Sequence, residues 1–498
     1  MTTFHPGQLV MVDIPGTRLD VATAAFLRTH HIRAVCLFRR NLGTRDDVVA
    51  LTTALRDVMG PHALIGLDQE GGAVVRSTFL PQAPSAMALG ASGDEALAQD
   101  VGAAVARGLR SLGINWNFAP VLDVNNHPGN PVIAERSFGE DPHEVTRLAG
   151  AWMRGSLAEG VACCVKHFPG HGDTHVDSHL ALPTVDKSRQ ALDAIELLPF
   201  KALAGQAPAV MTAHIVYPQI DPDHPATLSR KVLRGILRDE WGYDGVVITD
   251  ALMMKAIAER YGYARAPVMA IDAGADMVLA QGTLAEQALS IQALHDAFGD
   301  GRLTAQQGQV AAARLDALAA RYPVQHTAYS PAQQADDDRL MHRAWAQGLT
   351  TWTGAAAPRQ GQPLRVIVQA DVPTDNVSEA GPSGALALGL FEGFADVQPL
   401  VVDDIARIDW ARLPRDGRFT VLVSTRRDRY DGAAQHWRPD LHVVLWNPFQ
   451  VMDVPAPAVL TWGYAAGALA GLRQWLQGAQ AAPGRAPVSL GWRQGEAA

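Results

Sequence analysis

Along the first ~325 residues the chain repeats one unit: a short β-branched apolar run, a polar or glycine-bearing turn, then a stretch with helical spacing. The runs are QLVMVDI near residue 10, IRAVCLF near 35, ALIGLD near 65 and NWNFAPVLDV near 119. VACCVKHF near 164, AVMTAHIV near 212, GVVITD near 248 and ADMVLA near 278 complete the set. Between them lie alanine-, leucine- and arginine-rich segments such as 95–112, 142–157, 229–241 and 284–297. The runs are apolar at nearly every position, as parallel strands covered on both faces are. About eight such units in this length predict a (β/α)8 TIM-type barrel over residues 1–325. A doubly wound open sheet is the competing arrangement, and the unit count favours the barrel.

The pattern lapses at PVQHTAYSPAQQADDD, residues 323–338. This reads as a linker running into a connecting helix, together spanning 326–359. A second alternation follows: LRVIVQAD, ADVQPLVV, FTVLVST, LHVVLWNP and AVLTWGY. It predicts a smaller α/β domain of αβα layers over 360–498. AGPSGALALG at 380–389 bears glycine but matches neither the Walker nor the dinucleotide pattern, so it reads as a loop and helix start.

Composition narrows the classes. With 48% hydrophobic and 19% charged residues the chain has enough apolar material to fold and too much for disorder. A net charge of −9 and the lack of any Lys/Arg-rich run argue against nucleic acid as a partner. No apolar run reaches the ~18 residues of a membrane span. The start, MTTFHPGQLVMVDIPG, lacks a basic segment followed by an apolar one, so a signal peptide is not expected. Cys36, Cys163 and Cys164 are the three cysteines, and sequence neighbours rarely pair without strain. Buried thiols in a cytoplasmic protein are the expectation. Lysine is rare, with five against 37 arginines, so Lys166 inside the densest polar stretch carries information.

Polar side chains recur where the barrel runs end: Asp68, Asp123, Lys166 with His167, His214 and Asp250. In a barrel these ends converge on one mouth, where active sites lie. Asp123 also suits a turn into NNHPGN, and Asp250 also suits a helix N-cap before ALMMKAIAER.

The stretch KHFPGHGDTHVDSH, 166–179, spaces His167, His171, His175 and His179 by four. Pro169, Gly170 and Gly172 forbid the helix that would line them up, so it is a loop leaving the fifth strand. No Cys or Glu completes a metal-ligand spacing, and no cofactor or metal is expected. Asp177 and His179 stand two apart and, in extended chain, project to one side. The carboxylate would fix the imidazole tautomer and free Nε2 for proton transfer. A loop histidine merely satisfied by its neighbour is the equally open alternative. Gly170 and Gly172 would let the loop hinge as a lid. Asp250 as nucleophile with Asp177–His179 as proton shuttle supplies the two roles of glycoside hydrolysis with retention. Asp68 and Arg76 in LDQEGGAVVR, and Arg136 in ERSFG, suit sugar hydroxyls, although surface solvation is the common fate of arginine here.

LDQEGGAVVR, NFAPVLDVNN, ERSFGEDP, KHFPGHGDTHVDSH and VVITDALMMKAI, in this order, resemble the bacterial β-N-acetylglucosaminidase (β-N-acetylhexosaminidase) branch of glycoside hydrolase family 3. The resemblance covers residues 1 to about 325 and implies a (β/α)8 barrel and a two-step retaining reaction through a covalent glycosyl-enzyme. By motif position it implies Asp250 as nucleophile, His179 as acid/base held by Asp177, and Asp68, Arg76, Arg136, Lys166 and His167 as sugar-binding residues. The family's β-glucosidase branch instead takes its acid/base from a carboxylate outside the barrel and lacks this histidine loop. The implied substrates are small carbohydrates ending in β-linked N-acetylglucosamine, such as peptidoglycan fragments handled in cell-wall recycling. The sequence assigns no oligomeric state and no catalytic role to residues 340–498. The other readings carried forward are a phosphorylase using phosphate in place of water, a metal-dependent hydrolase, and a sugar-binding sensor without turnover.

Overall fold

Each apolar run of the first part of the chain contributes one strand of a closed parallel barrel in the computed structural model, which describes residues 4–371, 378 and 381–491. The strands are β1 (Val10–Asp13), β2 (Ala34–Cys36), β3 (Leu64–Leu67), β4 (Trp116–Asn117), β5 (Ala162–Phe168), β6 (Ala209–Thr212), β7 (Val246–Ala251) and β8 (Met277–Ala280). Sequence neighbours are sheet neighbours throughout, and β8 closes on β1 through Val10–Val278, Met11–Leu279 and Val12–Ala280. The arrangement is therefore the barrel and not the open sheet. Interior and helix-facing side chains merge into one apolar core, consistent with strands that are buried at almost every position.

β4 is regular for only two residues, although its apolar run is much longer. Pro120 has no N–H to donate, which interrupts the ladder. Contact with β5 resumes at Val121–Lys166, so the segment still delivers Asp123 to the mouth. Gly66 on β3 makes room for Phe118: a Cβ there would lie 2.7 Å from the ring. The helices between strands follow the sequence pattern. Glu95–Ser111 and Pro142–Ala158 are capped by the Asp94 and Asp141 side chains, which accept N–H groups of the first turn.

The helix Pro331–Gly348 then joins the barrel to a second sheet. Its strands are β9 (Thr350–Trp352), β10 (Leu364–Gln369), β11 (Val397–Val402), β12 (Phe419–Ser424), β13 (Leu441–Val444) and β14 (Ala458–Leu460), in spatial order β9-β14-β13-β12-β10-β11. All pairs are parallel except the β9–β14 edge. β9 lies in the stretch expected to be linker and connecting helix. Trp345 on the joining helix seals the seam. Its Nε1–H donates to Gln82 O at 3.1 Å, and its ring packs with Met87, Ala88 and Trp462. Of the 380–389 segment, Ala380 lies outside the described residues. From Ser383, whose side chain caps helix Gly384–Leu388, it is a loop-to-helix turn. Residues 1–3 of the N-terminal stretch and 492–498 of the second domain also lie outside them. Among the described residues, no helix is long and apolar enough to cross a membrane.

Candidate active site

The strand ends meet in a cavity of about 460 Å³ at the C-terminal mouth of the barrel. Seven of the eight site residues expected from the sequence line it: Asp68, Arg76, Arg136, Lys166, His167, His179 and Asp250. The eighth, Asp177, stands behind His179.

One wall is a chain of shared charges. Asp68 follows β3. The antiparallel hairpin Gln69–Gly71/Val74–Val75 then brings Glu70 and Arg76 to the mouth. Asn117 of β4 fixes this hairpin, accepting the Gln69 N–H at 2.9 Å and donating to its carbonyl at 3.0 Å. Lys166 on β5 places Nζ 2.6 Å from Asp68 Oδ1 and 2.6 Å from Glu70 Oε1. The Arg136 guanidinium forks onto Glu70 with bonds of 2.9 and 2.8 Å, and Arg76 reaches Asp68 at 3.4 Å. Burial pushes the Glu70 carboxyl up, but Arg136 and Lys166 together hold it well below the usual range. Burial likewise works against the charge on Lys166, and Asp68 and Glu70 more than compensate, so its ammonium is held charged.

His167 faces the cavity from a buried anchor. Its Nδ1 is 2.7 Å from Asp123 Oδ2, while Asp123 Oδ1 accepts the N–H groups of His167 and His171 at 3.1 and 2.6 Å. Burial raises the Asp123 carboxyl, and His167 and His171 outweigh it and lower it. Asp123 therefore orients the loop and the His167 ring. His214 has no place in the cavity lining. It is buried, with Nδ1 2.8 Å from Thr227 Oγ1 and Nε2–H donating to Ala251 O at 3.0 Å.

The loop after β5 assigns its four evenly spaced histidines four separate environments. His171 is buried between Thr174 Oγ1 at 2.8 Å and Ser178 Oγ at 3.0 Å, and burial lowers it to about 4, so it is neutral. His175 packs edge-on against His127 with ring centroids 4.1 Å apart. His179 places Nδ1 2.7 Å from Asp177 Oδ1, and its N–H donates to the same oxygen at 2.8 Å. Nε2 is left for the cavity. Among the described residues no three His, Cys, Asp or Glu side chains converge as metal ligands.

Gly170 and Gly172 both sit where a side chain would collide: a Cβ on Gly170 would lie 2.7 Å from Glu196 Cβ. A Cβ on Gly172 would sit 1.6 Å from the Val124 carbonyl oxygen, so glycine there permits tight docking. Asn130 Nδ2 also donates to the His171 and Gly172 carbonyls at 2.8 and 3.0 Å. The start of the loop is pinned.

Across the cavity, Asp250 ends β7 and its Oδ1 accepts the Ala251 N–H at 2.7 Å. Burial would raise this carboxyl. The imidazoles of His214, His167 and His179 and the Ala251 N–H bring it down to about 2, so it is a carboxylate at neutral pH. A carboxylate and a tautomer-fixed imidazole thus share one sugar-sized cavity. Glu70 and His171 were not singled out for roles in the sequence. Glu70 lay inside the LDQEGG motif, one residue from the Gly pair, which was its only signal.

Comparison with known proteins places this geometry. Residues 3–318 match the model of the glycosyl hydrolase family 3 N terminal domain. A β-hexosaminidase of Alkalilimnicola ehrlichii is 40% identical over 279 residues, 54% of this chain and 79% of that one. β-Hexosaminidase A of Pseudoalteromonas piscicida is 36% identical over 338 residues, 62% of this chain, and the match spans only 56% of that protein's length. The solved structure of a glycoside hydrolase family 3 β-N-acetylglucosaminidase from Paenibacillus sp. superposes with a TM-score of 0.87 at 33% identity, covering 97% of this chain and 98% of that one. The chain belongs to glycosyl hydrolase family 3.

Proposed function

We propose that the protein is a retaining β-N-acetylglucosaminidase (β-N-acetylhexosaminidase). The observation that carries this reading is the placement of Asp250 and the Asp177–His179 pair around one cavity. In the first step an Asp250 oxygen bonds to the anomeric carbon while His179 Nε2–H passes its proton to the departing glycosidic oxygen. Asp177 accepts the Nδ1–H and stabilises the imidazolium beforehand. In the second step His179, now neutral, takes a proton from water as the water oxygen bonds to the anomeric carbon and Asp250 leaves. Lys166, Arg136 and Arg76 donate to sugar hydroxyl or amide oxygens; Asp68 accepts hydroxyl hydrogens, and His167 lies beside them.

Peptidoglycan fragments ending in β-linked N-acetylglucosamine are the substrates we assign. The site of action is the cytoplasm; support comes from the three free, buried cysteines. The test is an activity screen of aryl β-glycosides. N-acetylglucosaminide should be cleaved well ahead of glucoside and xyloside, and mass spectrometry should find a glycosyl adduct on Asp250. Comparable turnover of all three would refute the assigned sugar. The screen is run with and without inorganic phosphate, and N-acetylglucosamine 1-phosphate as product would assign phosphorolysis instead.

A further inference from the structure

Among the described residues, Arg427 and Trp446 of the second domain hydrogen-bond to the segment that carries Arg136. Arg427, in the turn after β12, donates from Nη2 to the Val132 carbonyl at 2.7 Å. That carbonyl also accepts from Arg136 Nη1 at 3.1 Å, and Val132 lines the cavity. One oxygen is thus held between a sugar-pocket arginine and an arginine from the other domain. Trp446, just past β13, is fully buried and donates Nε1–H to Glu135 Oε1 at 2.9 Å. Glu135 and Arg136 share the short turn Ala134–Arg136. The C-terminal ends of the second sheet therefore seat on the segment that aims Arg136.

We infer that Arg427 is a positioning residue through which the second domain fixes the Arg136 loop.

The inference rests on the glycosidase reading for its kinetic arm and on sugar binding without turnover for its other arm. In the full-length protein, Arg427→Gln should lower kcat/KM for the aryl N-acetylglucosaminide roughly tenfold, in the range of a lost charged hydrogen bond. The loss should fall on KM and largely spare kcat, because it displaces Arg136 and leaves Asp250 and the Asp177–His179 pair in place. Arg427→Lys should restore part of it, and Trp446→Phe should raise KM in the same way. In calorimetry N-acetylglucosamine should bind Arg427→Gln several-fold more weakly than the parent. Arg427→Met serves as a second neutral variant if the glutamine variant does not fold. An unchanged KM and an unchanged affinity for N-acetylglucosamine in the folded neutral variant overturn the inference even if the parent hydrolyses its substrate well. Absence of hydrolysis in the parent overturns the glycosidase reading and leaves the binding measurement to decide the positioning role.

Discussion

The barrel mouth and the corresponding edge of the second sheet are both loops beyond parallel strand ends, yet they pair charge differently. On the Lys166 wall of the mouth the carboxylates are shared: Asp68 between Lys166 and Arg76, Glu70 between Lys166 and Arg136. At the second edge Arg429 closes on a single partner, Asp453, with Nε 2.9 and 3.1 Å from its oxygens. Nearby, Ser424 Oγ lies 2.8 Å from Tyr430 Oη and 2.7 Å from His442 Nε2, a neutral cluster. A closed pair or neutral cluster holds a loop. A shared chain holds several cations in a cavity where a polar ligand can enter, and it makes each carboxylate answerable for two of them.

The sharpest contrast is chemical. Asp250→Asn should cut turnover of the aryl N-acetylglucosaminide by at least about 10³-fold, and His179→Gln by about 10²–10⁴-fold. No substitution at the second edge that preserves folding should approach this. Near-normal rates in Asp250→Asn would remove the barrel's side of the comparison.

Stability comes next. Glu70→Gln leaves the buried cations of Arg136 and Lys166 without their shared counter-ion. Urea unfolding of the barrel should weaken by about 3–5 kcal/mol, the cost of breaking a buried pair. Asp453→Asn, whose Arg429 partner is 31% exposed, should cost about 1–2 kcal/mol. Equal losses would dissolve the distinction between shared and closed pairing.

Acid sharpens it further. Glu70, Asp123 and Asp250 have folded values depressed by their partners, Asp250 to about 2. In the unfolded chain carboxyls titrate near 4. The unfolded state therefore binds protons first as the pH falls. The stabilisation is complete above about pH 4 and disappears as the pH drops through the folded values. Glu70→Gln should flatten that slope.

Legibility in the sequence follows the same divide. Strand ends, the Asp177–His179 pair and Asp250 could be read because each depends on a local pattern: an apolar run, a two-residue spacing, a motif. Glu70 is not legible in the sequence because its meaning comes from Arg136, 66 positions away, and Lys166 on another strand. Arg427 was invisible for a stronger reason: its partner Val132 is 295 positions distant and offers only a backbone carbonyl. His171 lay in a readable motif, but burial, which no spacing reports, keeps it neutral. β4 is shorter than its apolar run because a single proline outweighs its apolar neighbours.

The mildest prediction probes the second sheet by itself. His442 lies on β13, fully buried, and burial lowers it to about 3. Unfolded histidine titrates near 6.5, so between these values the unfolded chain binds a proton that the folded chain refuses. This sheet should therefore lose stability as the pH falls below about 6.5, well before the carboxylates of the barrel begin to titrate. His442→Asn removes that proton uptake. Thermal unfolding at about pH 7.5 and about pH 5 should show a smaller drop in the variant than in the parent, in the transition belonging to the second domain. The barrel transition should respond equally in both proteins, because His442 bonds to Ser424 within its own sheet. If both transitions shift together, the two regions unfold as one unit, and the seam at Trp345 and Trp446 couples them more strongly than their separate charge arrangements divide them.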